Sequence, residues 1–269
     1  MPAAVPEEAT SVFEAVLRRD RAVVVAALVL VIALSWAWIA IGAGTGMSAI
    51  DMTRMPRDMM MTPAIWTATY AALMFLMWWV MMLAMMLPSA APMLLVFARI
   101  SRHGSVAKRP GTAAACFAAG YLVVWAGFSA AATALQWALE GSGLLSAMMV
   151  TTATWLGAVI LIGAGLWQFA PLKQACLRYC RTPIGFLTGR WRGGSAGAFR
   201  MGLEHGTHCL GCCWFLMLLL FFGGVMNLWW IGGLAAYVLI EKVLPMGRWL
   251  SYAVGTGLVL WGALLLLFA

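Results

Sequence analysis

The chain has 269 residues, 64% of them apolar and 10% charged, with a mean hydropathy of +0.93. That composition excludes a water-soluble globular domain and points to an all-α, polytopic membrane bundle. The formal charge of +8 does not mark a nucleic-acid binder, because the basic residues sit in short groups between apolar runs.

Residues 1–21 carry both acids and bases and read as a short cytoplasmic N-terminal tail. Residues 22–269 read as a single transmembrane helical domain of about seven spans, each needing about 20 apolar residues. The predicted spans are Ala22–Gly42, Ile65–Leu87, Thr112–Leu139, Leu145–Phe169, Gly202–Phe222, Leu228–Leu244 and Leu250–Phe268. The first reads as a retained anchor. Its apolar run is long for a signal peptide, and Ile41-Gly42-Ala43-Gly44 is a poor cleavage site. The largest pieces outside the spans are Gly42–Ala64 and Ala170–Met201. The second is rich in Gly, Arg and Pro and is expected to be a loop.

Charge alternates with these spans. Arg18, Arg19 and Arg21 precede the first, and Arg99, Arg102, Lys108 and Arg109 lie between the second and third. Lys173, Arg178, Arg181, Arg190, Arg192 and Arg200 lie between the fourth and fifth, and Lys242 and Arg248 flank the last turn. Only Arg54 and Arg57 fall on the other side, beside Asp51 and Asp58. The positive-inside rule then places the N-terminus in the cytoplasm and the C-terminus outside.

Within the fifth predicted span, His205, His208, Cys209, Cys212 and Cys213 crowd together in a chain with only three His and six Cys. Their spacing is that of one helical stripe, an arc of roughly 140°. Imidazoles and thiolates together suit Cu(I), with Zn(II) the alternative. Any one of these residues reads most simply as packing or as a helix-to-helix hydrogen bond. Five on one stripe favour a metal site near the mouth of the helix. Glu204, at the edge of the stripe, would orient His205, carry a proton or pair with Arg200. Glu241-Lys242 reads as an interfacial ion pair. Cys176 and Cys180, four apart, add two thiols on the same side, where cytoplasmic thiols stay reduced. Ordinary packing explains that pair equally well, and it explains Cys116, alone in an apolar helix.

Methionine is abundant, at 20 residues, and clustered. Met47, Met52, Met55, Met59, Met60 and Met61 fall in the outer loop. Met74, Met77, Met81 and Met85 share an arc of roughly 80° on the second span. Thioethers bind Cu(I) without deprotonation. Gap filling between helices accounts equally well for the stripe in the span, and less well for the loop.

Several longer motifs carry a family resemblance. They are Trp78-Trp79-Val80-Met81-Met82-Leu83-Ala84-Met85-Met86-Leu87-Pro88-Ser89, Cys209-Leu210-Gly211-Cys212-Cys213-Trp214-Phe215-Leu216-Met217, Gly224-Val225-Met226-Asn227-Leu228 and Glu241-Lys242. Together they resemble the bacterial integral membrane proteins predicted to bind metal, the domain of unknown function 2182. The resemblance spans nearly the whole chain beyond the tail. It implies metal binding and carries no established reaction.

The sequence therefore points to a membrane protein that handles a soft metal ion, with Cu(I) expected. Outer-loop methionines would capture or release the ion, the stripe of the second span would line a path, and the Cys/His stripe would bind it. A metallochaperone or copper protein is the expected partner beside the lipid bilayer. The alternatives are a membrane-bound metal-dependent or thiol oxidoreductase, and a copper assembly factor or sensor. No P-loop or other nucleotide motif occurs.

Overall fold

The computed structural model describes residues 7–55, 65–103, 110–244 and 247–268. Met59, Met60, Met61, Arg57, Asp58, Lys108 and Arg109 lie outside the described residues. Helices α1 (Glu7–Ala40), α2 (Ala49–Arg54), α3 (Ala68–His103), α4 (Pro110–Gly141) and α5 (Thr154–Phe169) form the first half. Helices α6 (Pro171–Arg181), α7 (Pro183–Arg190), α8 (Gly194–Gly223), α9 (Leu228–Val243) and α10 (Gly247–Leu267) form the second. Among the described residues there is no strand, only an isolated bridge between Leu145 and Thr151.

The all-α expectation holds. Among the described residues, five helices are long and apolar enough to cross a membrane, namely α1 from Ala22, α3, α4, α8 and α10. The α5–α6 pair, bent by 65° at its break, brings the number to six if it counts as one span. Helix α9 has 16 residues, or about 24 Å of rise against a hydrocarbon core of about 30 Å. Large apolar side chains such as Leu30, Leu34, Val159, Leu260 and Leu264 face outward. That is the inverse of a water-soluble surface and fits a bundle solvated by lipid.

Two expected boundaries move. The fourth apolar run becomes helical only at Thr154, because Gly143 and Met149 take left-handed backbone angles and fold residues 143–153 into a tight connection. The stretch Ala170–Met201, expected as a loop, is mostly helical. Pro171 and Pro183 each occupy a helix start, where a missing N–H costs nothing and the fixed φ suits the first turn. Helix α8 also begins at Gly194, well before the expected Gly202.

Helices α3, α4 and α8 form the centre, with α6 and α7 closing one end and α9 running along α3 from α2 toward α6. The α4–α8 contact is made by glycine. A Cβ on Gly202 would lie 2.0 Å from the Phe117 carbonyl oxygen, and one on Gly120 would lie 2.2 Å from that of Phe199. The two backbones touch, as small residues permit in membrane bundles. This approach brings Tyr121 of α4 to the thiols of α8. In α3, Pro88 and Pro92 each remove a backbone donor. Hydroxyls of Ser89 and Tyr121 donate to the Met86 carbonyl at 2.9 and 3.4 Å in the same region.

Candidate metal centre

The early start of α8 puts Cys209, Cys212 and Cys213 near the middle of that helix rather than at its mouth. All three are wholly buried. The Cys212 and Cys213 thiols each donate to the Cys209 carbonyl, both at 3.0 Å. Cys180, one turn along α6 from Cys176, faces the Cys209 and Cys212 thiols from α6. Met86 of α3 completes the sulfur cluster, its Sδ lying 3.9 Å from Cys213 Sγ. All six cysteines are free thiols.

Lys242 enters this cluster from α9. Its ammonium donates to Cys209 Sγ and to Ser89 Oγ, both at 3.0 Å. Tyr121 Oη lies 3.2 Å from the same sulfur. Cys209 is thus the hub, touched by an ammonium, a phenol and a neighbouring thiol. The expected Glu241–Lys242 pair does not form. On a helix, adjacent residues point about 100° apart, and each finds its own buried partner. Glu241 pairs with Lys173 of α6, both side chains fully buried. Glu241 Oε1 accepts from Tyr237 at 2.9 Å and from Ser251 at 2.5 Å, and Gln168 accepts from Lys173 at 2.6 Å. All three contacts to Glu241 converge on one carboxylate oxygen, Oε1, while Oε2 is buried without a hydrogen-bond partner, so the pair is only partly compensated for its loss of water.

The histidines are enclosed by aromatic rings. His205 is buried between aromatic rings, with its centroid 5.7 Å from Tyr121, 6.0 Å from Phe117 and 5.7 Å from Phe186. Its Nδ1 has no hydrogen-bond partner. His208 stacks on Tyr179 of α6 at 4.3 Å, and the Arg190 guanidinium lies over the same Tyr179 ring, 5.3 Å from its centroid. Glu204 accepts from Arg190 and Arg192, both at 3.2 Å, with Arg200 farther off at 3.9 Å. The hydrogen bond from Glu204 is the main cause that raises the Arg190 guanidinium above its ordinary value. Cys176 lies against Gly211, where an added Cβ would meet its Sγ at 2.8 Å.

The methionines Met74, Met77, Met81 and Met85 are all fully buried along α3. They are separated from one another by single turns, and Met86 carries the series to the thiols. Met74 Sδ accepts from Gln136 Nε2 at 3.5 Å. Trp78 and Glu140 hold that amide, each at 2.8 Å. Met47, Met52 and Met55 lie near α2; Met59, Met60 and Met61 fall outside the described residues.

Sequence reasoning missed Met86, Lys242, Tyr121 and Ser89. Met86 was visible as half of a methionine doublet, whereas a contact between Lys242 and Cys209 leaves no local signature. Soft sulfurs in this number fit a Cu(I) ion by donor chemistry. Among the described residues, however, no group of three or more His, Cys, Asp or Glu is already disposed around an ion. The thiols face a backbone carbonyl and one another.

The family model of the PpoB2 copper chaperones matches residues 75–265, which include Met86, Tyr121, Cys180, the three α8 thiols and Lys242. No curated protein and no solved structure matches the chain. From the sulfur cluster to the last helix, the chain belongs to the PpoB2 copper chaperone family.

Proposed function

We propose that this membrane protein binds Cu(I) at Cys209, Cys212 and Cys213, with Cys180 and Met86 adding sulfur, and passes the ion to a copper protein. Support comes from one convergence above all: thiols from α6 and α8 meet a thioether from α3 around a buried ammonium. A Cu(I) ion held by two thiolates carries one net negative charge. Lys242 would balance it, which matters because an unpaired charge at such depth is costly. Loading then requires the Cys212 and Cys213 sulfurs to turn from the Cys209 carbonyl, a change of side-chain rotamer. His205, with its unpartnered Nδ1 one turn from Cys209, is the imidazole best placed to assist. His208 and Cys176 form the outer rim of the proposed site. A Zn(II) ion held by the same two thiolates would be neutral and would leave the Lys242 ammonium without a balancing charge.

The family match favours delivery of copper over an oxidoreductase, and the likeness to predicted metal-binding membrane proteins fits the same function. Movement of copper along Met74, Met77, Met81 and Met85 is the second possibility, favoured by the full burial of these four thioethers on one helix. The basic groups beside α3, α7 and α8 support an inner-membrane orientation with the N-terminus cytoplasmic.

The test is the metal content of purified protein. Wild type should retain Cu(I) against a competing chelator, and the Cys209→Ser, Cys212→Ser, Cys213→Ser variant should lose it while remaining folded. Undiminished copper in that variant would remove the thiol centre from the mechanism.

A further inference from the structure

A separate group of methionines surrounds a cavity at the far end of α8. The cavity, of about 90 Å³, opens where α2 meets the α4–α5 and α8–α9 connections. Met52, Met55, Met148 and Met226 line it, together with Thr53 and Asn227. Met148 and Met226 are buried, and Met52 and Met55 are half-buried. From Cys213 to Gly223 the helix rises about 15 Å, so this cavity is distinct from the thiol centre.

The three segments are stitched together by backbone bonds. Leu228 N donates to Thr53 Oγ1 at 2.9 Å, tying α2 to the start of α9. Thr151 N donates to the Phe221 carbonyl at 2.9 Å, and Val225 N to that of Met149 at 3.3 Å. Gly224 ends α8 at φ 100°, and Met149 holds φ 55°, a left-handed angle rare for a residue with a side chain. Strain of that kind persists only where the surroundings impose it. Here it fixes the connection that presents Met148.

Methionine commonly fills irregular gaps. These four instead border a gap, one that exceeds the roughly 30 Å³ share of a single water molecule. No carboxylate, imidazole or thiol lines it. A neutral thioether set gives hard and borderline dications neither charge nor preferred donors, but it suits a soft monovalent ion.

We propose that this cavity is a second, thioether-only site for Cu(I), placed to receive or release the ion at the end of the bundle opposite α6 and α7. The inference rests on the reading of the chain as a Cu(I) carrier. Entry at such a site would need no proton loss from the ligands, unlike entry at the thiols.

The experiment titrates the full-length protein in detergent with Cu(I) against a chromophoric chelator, with Ag(I) as a redox-stable second probe. Wild type should take up ions at both thiolate and all-thioether sites, distinguished by sulfur-edge X-ray absorption and by the thiolate-to-metal charge-transfer band. The Met52→Leu, Met55→Leu, Met148→Leu, Met226→Leu variant should lose about one equivalent while the thiolate band is unchanged. Equal stoichiometry and equal sulfur coordination in that variant would overturn the second site and leave the thiol centre standing. Failure of wild type to bind either ion would overturn both. If the fourfold variant does not fold, Met226→Leu alone, which nearly conserves volume, must weaken the all-thioether equivalent by about tenfold. An unchanged equivalent there also overturns the proposal.

Discussion

Lys242 Nζ lies 3.0 Å from Cys209 Sγ, joining α9 to the middle of α8 across 33 residues of chain. An ammonium at this depth has one sulfur and one hydroxyl as partners, Cys209 and Ser89. The cation therefore stands where the charge of a copper–thiolate unit needs balancing. In the proposed function Lys242 would act as the counter-ion of the copper–thiolate unit rather than as an interfacial residue.

Replacing Lys242 with Met keeps the stem and removes the charge. Loss of a charge-assisted bond of about 1.5–3 kcal/mol predicts Cu(I) affinity lower by about 10- to 100-fold. Lys242→Arg should retain more of it, because the charge remains. Competition titrations measure both variants, and equal affinity for wild type and Lys242→Met would sink the counter-ion role.

The two α6 cysteines should behave differently. Cys180→Ser removes a thiol that faces Cys209 and Cys212, so copper retention should fall, though less than in the triple α8 variant. Cys176→Ser alters a residue seated on Gly211, and its effect should be smaller. Chelator-resistant copper per mole of protein gives the ranking. Equal losses would mean that α6 acts through packing alone.

Replacing Met74, Met77, Met81 and Met85 with Leu keeps volume close to native, so the bundle should survive at a cost below about 1.5 kcal/mol per site. Binding at the thiols should persist. If these thioethers conduct the ion, copper flux into proteoliposomes should drop. Unchanged flux assigns the row to packing and leaves delivery at the thiol centre as the sole function.

Reporter fusions test the orientation. Those at Lys108 and Arg190 should signal the cytoplasm, and one at Arg54 the outside, as the basic groups require. Reversed signals would expose Cys176 and Cys180 to an oxidising space, where a disulfide would compete with copper.

The positions of the apolar segments were legible because transfer into lipid depends on local composition, which a window of residues reports directly. Each predicted span contains a helix, and five cross-membrane lengths follow from apolar run alone. The grouping of Cys209, Cys212 and Cys213 was legible for a similar reason, since helical periodicity alone puts them on one buried face. Periodicity could not separate those sulfurs from His205 and His208 on the same stripe. That division depends on Tyr121, Phe117 and Tyr179, which occupy the space around the imidazoles from other helices. Proline chemistry at Pro171 and Pro183 was present in the sequence, yet Gly and Arg around it resembled a loop; packing of α6 against α8 selects the helix. Lys242, Met86 and Cys180 reach Cys209 and its neighbours through contacts between helices distant in the chain. Only tertiary packing decides such contacts, because the glycine-mediated approach of α4 to α8 and the 65° bend before α6 set which side chains meet, and neither is encoded by any single segment.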